Sequence, residues 1–138
     1  MPSAALGVGQ VEKLDELLPR RAAVAHVYDE LLAGLDGVEL PLADDEDHVR
    51  SWFVYVVALP DNATREHAIA TFEREGIGFN RYLPSIHLQP YMRERYGFRE
   101  GLCPVSEGVS SRSLALPFFT ALGRDAQERV AEALAAAL

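Results

Sequence analysis

Apolar residues in the first quarter of the chain recur at spacings of three and four. This spacing places them on one face of a helix. It predicts an amphipathic helix from Ala4 to about Leu35. Pro19 has no N–H to donate, so the helix is expected to kink or break near that residue. The residues that carry the pattern are Leu6, Val11, Leu14, Leu17, Leu18, Val24, Val27, Leu31 and Leu32.

Three segments have the composition of β-strands. Trp52 to Leu59 is a continuous aromatic and β-branched run that ends at a Pro-Asp-Asn turn. Such a run is typical of a strand buried on both faces, and it predicts the central strand of a sheet. Residues 77–82 and 114–116 predict two further strands, whereas the polar, acidic residues 41–50 predict an exposed loop.

Helices are predicted between and after the strands. Thr64 is a suitable N-cap for a helix that ends at Gly76. Pro84 and Pro90 flank a segment that is expected to form a loop without regular structure. Three further helices are predicted at 91–96, 104–113 and 125–138, the last capped by Asp125. The 138 residues therefore predict one α+β domain, 1–138, with a small antiparallel or mixed sheet covered by helices.

Charge and composition exclude several classes of function. The net charge of -8 argues against nucleic-acid binding, which needs clustered basic side chains. Cys103 is the only cysteine, and no Cys/His cluster has the spacing of a metal site, so we expect no bound metal. No apolar run reaches about 18 residues and no signal peptide is evident, which predicts a soluble, cytoplasmic protein without a membrane partner.

Several other groups of residues have ordinary structural interpretations. Trp52, Phe53 and Tyr55 belong to the predicted strand, so we expect them in the core and not in a stacking platform. The acidic run 44–48 lacks the fixed spacing and turn glycine of a calcium loop. The serines between 106 and 113 lack the Gly-x-Ser-x-Gly motif of a nucleophile.

A resemblance to a known family covers nearly the whole chain. Segments 1–41, 51–60, 76–101, 104–119 and the closing helix resemble the last third of PLP-dependent sugar aminotransferases of the DegT/DnrJ/EryC1/StrS family. The most specific piece is residues 82–91, followed at the family's distance by residue 107 and the segment 116–119. The matching residues are Tyr82, Pro84, His87, Gln89, Pro90, Tyr91, Glu107, Leu116, Pro117, Phe118 and Phe119.

The resemblance implies the fold of type I, aspartate aminotransferase-like PLP enzymes. In these enzymes a small C-terminal domain closes over a large domain that carries the cofactor lysine. Family members have an Asn/Arg-rich motif before the helix that begins like residues 1–7, so the large domain is expected upstream of Met1. The resemblance further implies a homodimer that transfers an amino group, with L-glutamate as donor, to a nucleotide-linked keto-sugar.

Lysine content limits what this chain can do alone. Lys13 is the only lysine, and it lies at an exposed-type position of the helix pattern. An internal aldimine needs a lysine within a site that also supplies an acid and phosphate donors. We therefore expect no catalytic residue and no covalently bound PLP in this chain, and we expect the isolated chain to be inactive.

Five residues are candidates for substrate binding. His87 lies between two prolines in a rigid loop, where a binding group is favoured. Asn80, Arg81 and Tyr82 end a predicted strand and could donate hydrogen bonds to a carboxylate, a phosphate or sugar hydroxyls. Gln89 is a weaker candidate. The alternatives are a His87 or Gln89 that only bonds the loop backbone, and a solvated arginine at a strand end.

A function of another class also remains open. The apolar face of the helix at 4–35 could be under-covered when no large domain is present. The chain would then be a stand-alone interaction module that pairs through this face, and it would form dimers.

Overall fold

The computed structural model describes residues 2–138, with side chains from Leu6 onward. Within this range no helix is both long and apolar enough to cross a bilayer. The described residues form six α-helices and one three-stranded antiparallel sheet, which confirms the predicted α+β class. The elements are α1 Pro2–Val11, α2 Leu14–Leu32, β1 Tyr55–Ala58, α3 Asn62–Glu75, β2 Asn80–Arg81, α4 Pro90–Tyr96, α5 Pro104–Arg112, β3 Ser113–Leu116 and α6 Arg124–Ala135.

The sheet has the order β1-β3-β2, so the prediction that β1 is the central strand was wrong. Tyr55 lies opposite Leu116, and Asn80 lies opposite Ala115. Because β1 and β2 both run antiparallel to β3, they are parallel to each other and α3 connects them across it. This is a split βαβ arrangement. All four residues of β3 are buried, as expected for the middle strand.

One face of the sheet packs against helices to form the core. Tyr55 and Leu114 point to this side, where Tyr28, Phe72 and Leu134 of α2, α3 and α6 are fully buried. The two tyrosine hydroxyls have partners: that of Tyr55 donates to Asp29 at 2.6 Å and that of Tyr28 donates to the carbonyl of Pro117 at 2.9 Å. Burial raises the pKa of both phenols, so they stay neutral at physiological pH.

The helix predicted from Ala4 to Leu35 is two helices, and it does not break at Pro19. The break lies at Glu12 and Lys13, where Lys13 adopts φ −99° and ψ 3°. Pro19 lies inside α2 and removes one intrahelical hydrogen bond without ending the helix. The apolar pattern continues through the break, which explains why the periodicity did not reveal it.

β1 is shorter than predicted and is not buried on both faces. Its residues alternate between buried and half-buried. Phe53 lies before the strand and is 70% exposed, so its assignment to the core was wrong. Trp52 is half-buried and stacks on Tyr55 with ring centroids 5.6 Å apart. Helices cover only one face of the sheet, so alternate residues of the run stay partly exposed, and the apolar composition alone does not show this.

Helix α3 begins and ends at local signals. Asp61, and not Thr64 as predicted, is the N-cap: its carboxylate accepts from the Thr64 N–H at 2.8 Å. Gly76 ends the helix with φ 67°, as predicted. The observed cap lies three residues before the predicted one, so the prediction placed the start of the helix only to within one turn.

Other boundaries also differ from the sequence prediction. The strand predicted at 77–82 was too long, because only Asn80–Arg81 pair with β3. The segment between Pro84 and Pro90 contains a 3-10 turn, Ile86–Leu88, where no regular structure was expected. A 3-10 turn needs few hydrogen bonds, so flanking prolines do not prevent it. Helix α6 begins one residue before Asp125 with Gly123 as its N-cap. The acidic residues 41–50 form neither helix nor strand, which confirms the predicted loop.

Candidate functional site

A chain of serine hydroxyls attaches the loop at 84–90 to helix α5. The hydroxyl of Ser110 donates to the carbonyl of Glu107 at 3.2 Å. Because a hydroxyl has one proton to donate, Ser85 must donate to Ser110 at 2.9 Å, and Ser106 must donate to Ser85 at 3.2 Å. Every O–H of this chain is used internally. The cluster therefore fixes the loop and offers no free O–H donor to a ligand.

His87 lies two residues after Ser85 in the loop and is also held by α5. Its Nε2 lies 2.8 Å from Glu107 Oε1, and the two side chains are 10% and 19% exposed. Glu107 also accepts hydrogen bonds from the backbone N–H groups of Gly101 and Cys103, at 2.9 Å and 3.0 Å. These two backbone donors, followed by His87, hold the pKa of the Glu107 carboxyl below its ordinary value. Glu107 is therefore an anion at neutral pH.

The position of Glu107 follows from local sequence. Pro104 begins α5, and Glu107 lies in the first turn, where a carboxylate is favoured by the helix dipole. Its side chain reaches back to the N–H of the N-cap residue Cys103, much as the glutamate of a capping box does. A rigid helix end thus supplies the anion that holds His87.

The end of β2 directs neighbouring side chains to opposite faces of the sheet. Asn80 and Tyr82 line a cavity of about 390 Å³ on the face away from the helical core. Ala115 of the neighbouring strand lines the same cavity. The amide of Asn80 and the phenol of Tyr82 can each donate and accept hydrogen bonds there. Apolar residues complete its wall, among them Phe53, Val54, Phe79, Pro117 and Phe118.

Arg81 points the other way, toward α3. Its guanidinium pairs with the carboxylate of Glu66 at 2.6 Å, and Arg65 pairs with the same carboxylate at 2.9 Å. The hydrogen bonds from Arg81 and then Arg65 hold the pKa of Glu66 below its ordinary value. Arg65 is itself buried and donates to the carbonyl of Ser110 at 2.9 Å. Two cations share the Glu66 carboxylate, and the charge of Glu73 also acts on Arg81.

Of the five candidate residues, the three at the end of β2 line cavities and the two in the loop do not. Asn80 and Arg81 border a second cavity, of about 510 Å³, together with Ser85. His87 and Gln89 line neither of the two cavities. Gln89 is the N-cap of α4, and its side chain makes no hydrogen bond with the part of the chain that is described. The structure therefore joins the loop to the strand end through Ser85 and not through the two predicted loop residues.

The sequence did not reveal which side chains pair with the candidate residues His87 and Arg81. The alternative in which His87 bonds only loop backbone does not describe its ring, whose partner is the Glu107 side chain. Glu107 carried a local signal, a carboxylate in the first turn after a helix-starting proline. Arg65 and Glu66 carried none, because an Arg-Glu pair on a helix is ordinary surface composition.

The fold is a small antiparallel sheet with a split βαβ connection that helices cover on one face. Solved structures of aminotransferases superpose on nearly the whole chain. TlmJ from Streptoalloteichus hindustanus is 26% identical with a TM-score of 0.83, over 97% of this chain and 35% of its own. S. venezuelae DesV, solved with a ketimine intermediate, is 29% identical with a TM-score of 0.80, over 96% and 35%.

The structure of DesI, determined in the presence of its TDP-sugar product, is 31% identical with a TM-score of 0.79, over 96% of this chain and 34% of its own. The model of the DegT/DnrJ/EryC1/StrS aminotransferase family matches residues 2–135. The chain belongs to this family. It spans about a third of the length of the solved relatives.

Proposed function

We propose that residues 1–138 are the single C-terminal small domain of a PLP-dependent sugar aminotransferase, whose large domain is a separate part of the protein. The observation that carries this proposal is the family match over residues 2–135, in a chain a third as long as its relatives. A domain that superposes over nearly its full length and covers only a third of each relative has the extent of one folding unit of a larger enzyme.

The reaction proposed for the whole protein is transfer of an amino group from L-glutamate to a nucleotide-linked keto-sugar. PLP, when bound, supplies the electron sink that such transfers require. The described chain does not by itself fit this cofactor, because Lys13 is exposed at the break between α1 and α2. The lysine that binds PLP is therefore expected in the large domain, and the isolated chain is expected to be inactive. The TDP-sugar product of DesI supports a nucleotide-linked substrate.

The proposed role of this domain is to shape the sugar side of the pocket. Asn80 and Tyr82 offer an amide and a phenol to the cavity on the open face of the sheet. Arg81 uses Nε and Nη2 on Glu66, which leaves Nη1 for a ligand oxygen. His87 and Gln89 are proposed to contact substrate from the loop. The whole enzyme is proposed to act as a homodimer in the cytoplasm.

A stand-alone interaction module remains the second candidate, and one observation favours it. The apolar side chains of α1 are uncovered: Leu6, Val8 and Val11 are 68%, 60% and 70% exposed. Three exposed apolar residues on one short helix indicate a contact surface. Either a large domain or a second copy of this chain could cover it.

The coding DNA immediately upstream of Met1 tests the first proposal against the second. If the reading frame continues into a few hundred codons that encode a PLP-binding lysine, the aminotransferase proposal stands. The encoded protein should then transfer ¹⁵N from labelled glutamate to a nucleotide-linked keto-sugar. A stop codon and a ribosome-binding site directly before Met1 would overturn it and favour the module.

A further inference from the structure

The two ring nitrogens of His87 have different surroundings. Nε2 lies 2.8 Å from Glu107 Oε1, whereas Nδ1 makes no hydrogen bond with the described chain. Among the described residues, no buried side-chain nitrogen or oxygen lacks a partner. Nδ1 therefore reaches solvent, although the residue as a whole is only 8% exposed. One nitrogen is bound to Glu107, and the other has no hydrogen-bond partner among the described residues.

The chemistry of Glu107 decides which nitrogen carries the proton. A carboxylate accepts hydrogen bonds and donates none. A neutral imidazole has one N–H, so a ring that faces this carboxylate through Nε2 must carry its proton there. The backbone N–H groups of Gly101 and Cys103 hold the accepting oxygens in place. Rotation of the carboxylate away from His87 would break these bonds.

We propose that Glu107 is a positioning residue that fixes His87 as the Nε2–H tautomer, so that the loop presents Nδ1 as an acceptor to an O–H or N–H of a ligand. The identity of that ligand rests on the proposed function. A sugar hydroxyl can donate to Nδ1, whereas a fully ionised phosphate cannot. A His87 ring that accepts through Nδ1 would therefore contact the sugar part of a nucleotide-linked substrate and not its diphosphate.

The attachment of the loop at a second point supports this role. The main-chain carbonyl of Glu107 accepts from Ser110, whose hydroxyl accepts from Ser85, two residues before His87. Glu107 therefore holds the loop both through its side chain and through its main chain. A purely structural glutamate would fix the turn at 101–103 equally well but would require no particular tautomer of His87.

The tautomer can be measured directly on this chain by long-range ¹H–¹⁵N spectra with ¹⁵N-labelled histidine rings. The spectra are followed to alkaline pH until the ring signals no longer change, so that the neutral imidazole is observed. The His87→Asn variant identifies the His87 signals. We expect a single Nε2–H tautomer for His87. His48 provides an internal comparison, because its Nδ1, and not its Nε2, faces a carboxylate, that of Asp45, at 2.8 Å.

The Glu107→Gln variant tests the cause, because it keeps the shape but replaces one oxygen by an N–H donor. We expect the His87 tautomer ratio to shift toward Nδ1–H in Glu107→Gln and to stay unchanged in the control Glu94→Gln, which removes an exposed carboxylate of α4. An Nδ1–H tautomer in the wild type overturns the proposal, even if Glu107→Gln does not fold. An equal ratio in wild type and a folded Glu107→Gln also overturns it.

The ligand step is tested in the same sample with millimolar TDP-glucose. We expect the ¹⁵N signal of Nδ1 to move in the wild type and to move less in Glu107→Gln. An unchanged Nδ1 signal overturns the ligand step. If signals near Asn80 change and the Nδ1 signal does not, the domain binds the nucleotide sugar as proposed, but His87 does not contact it and this inference is wrong. A stop codon before Met1 would remove the proposed function without changing the tautomer.

Discussion

The half of the molecule formed by α2, α3, α6 and the sheet differs from residues 83–112 in the interactions that hold it. The first half contains the buried apolar residues, with Tyr28, Tyr55 and Phe72 fully enclosed. In the second, α4 and α5 contain no buried residue, and serine hydroxyls and the His87–Glu107 pair attach the loop.

The difference matters because the two kinds of interaction do different things. Apolar burial contributes most of the stability and has no preferred direction. Hydrogen bonds contribute less net stability, but they fix the orientation of the groups that make them. We therefore expect the first half to determine whether the chain folds, and residues 83–112 to determine how His87 is presented.

The largest expected effect is a truncation in the apolar half. Phe72→Ala removes a fully buried ring and should lower the free energy of unfolding by about 3–5 kcal/mol. Phe53→Ala, which removes a ring that is 70% exposed, is the matched control and should change it by less than about 0.5 kcal/mol. Urea denaturation followed by circular dichroism measures both. Similar losses in the two variants would contradict the division into two halves.

A smaller effect is expected from the polar segment. Ser85→Ala interrupts the hydroxyl chain and should lower the free energy of unfolding by about 1 kcal/mol, since each lost partner can bond water instead. Hydrogen exchange should accelerate mainly at residues 85–89. Ser111→Ala is the control, because that hydroxyl donates only to Gly108 within its own helix. A uniform acceleration over the whole chain would show that the segment is not a separate unit.

Acid should also affect the polar segment through Glu107. Its folded-state pKa lies below the unfolded value of about 4.3, so its contribution to stability is present above that pH and is lost as pH falls through the folded pKa. The melting temperature should therefore fall below about pH 4.3, and Glu107→Gln should reduce the slope of this fall. Glu94→Gln should leave the slope as it is. A slope that Glu107→Gln does not alter would contradict this prediction.

The smallest change in stability is expected from substitutions on α1. The same substitutions test whether the chain is a stand-alone interaction module. Replacing Leu6 and Val11 by Ser should change the free energy of unfolding by less than about 0.5 kcal/mol, because both are exposed. If a second copy covers α1, sedimentation should show that this variant loses dimer, whereas Val105→Ser on α5 does not. A monomeric wild type would count against the module.

Local sequence signals predicted part of this molecule well. The strand at 113–116, the helix that ends at Gly76 and the proline-started helices α4 and α5 were placed to within a few residues. The family also followed from short motifs of the chain. These features depend on residues close together in sequence, such as a cap and the helix it begins, or a proline and the turn that follows.

The tertiary structure alone decided the rest. The place of β3 at the centre of the sheet depends on strands that lie more than fifty residues from one of their partners, as in the pair Val57 and Leu114. Phe53 is exposed because it lies two residues before β1, and the apolar run does not show where the strand begins. The partner of His87 is twenty residues away, on α5. Periodicity reports which residues share a face, but only packing decides which faces and polar groups meet.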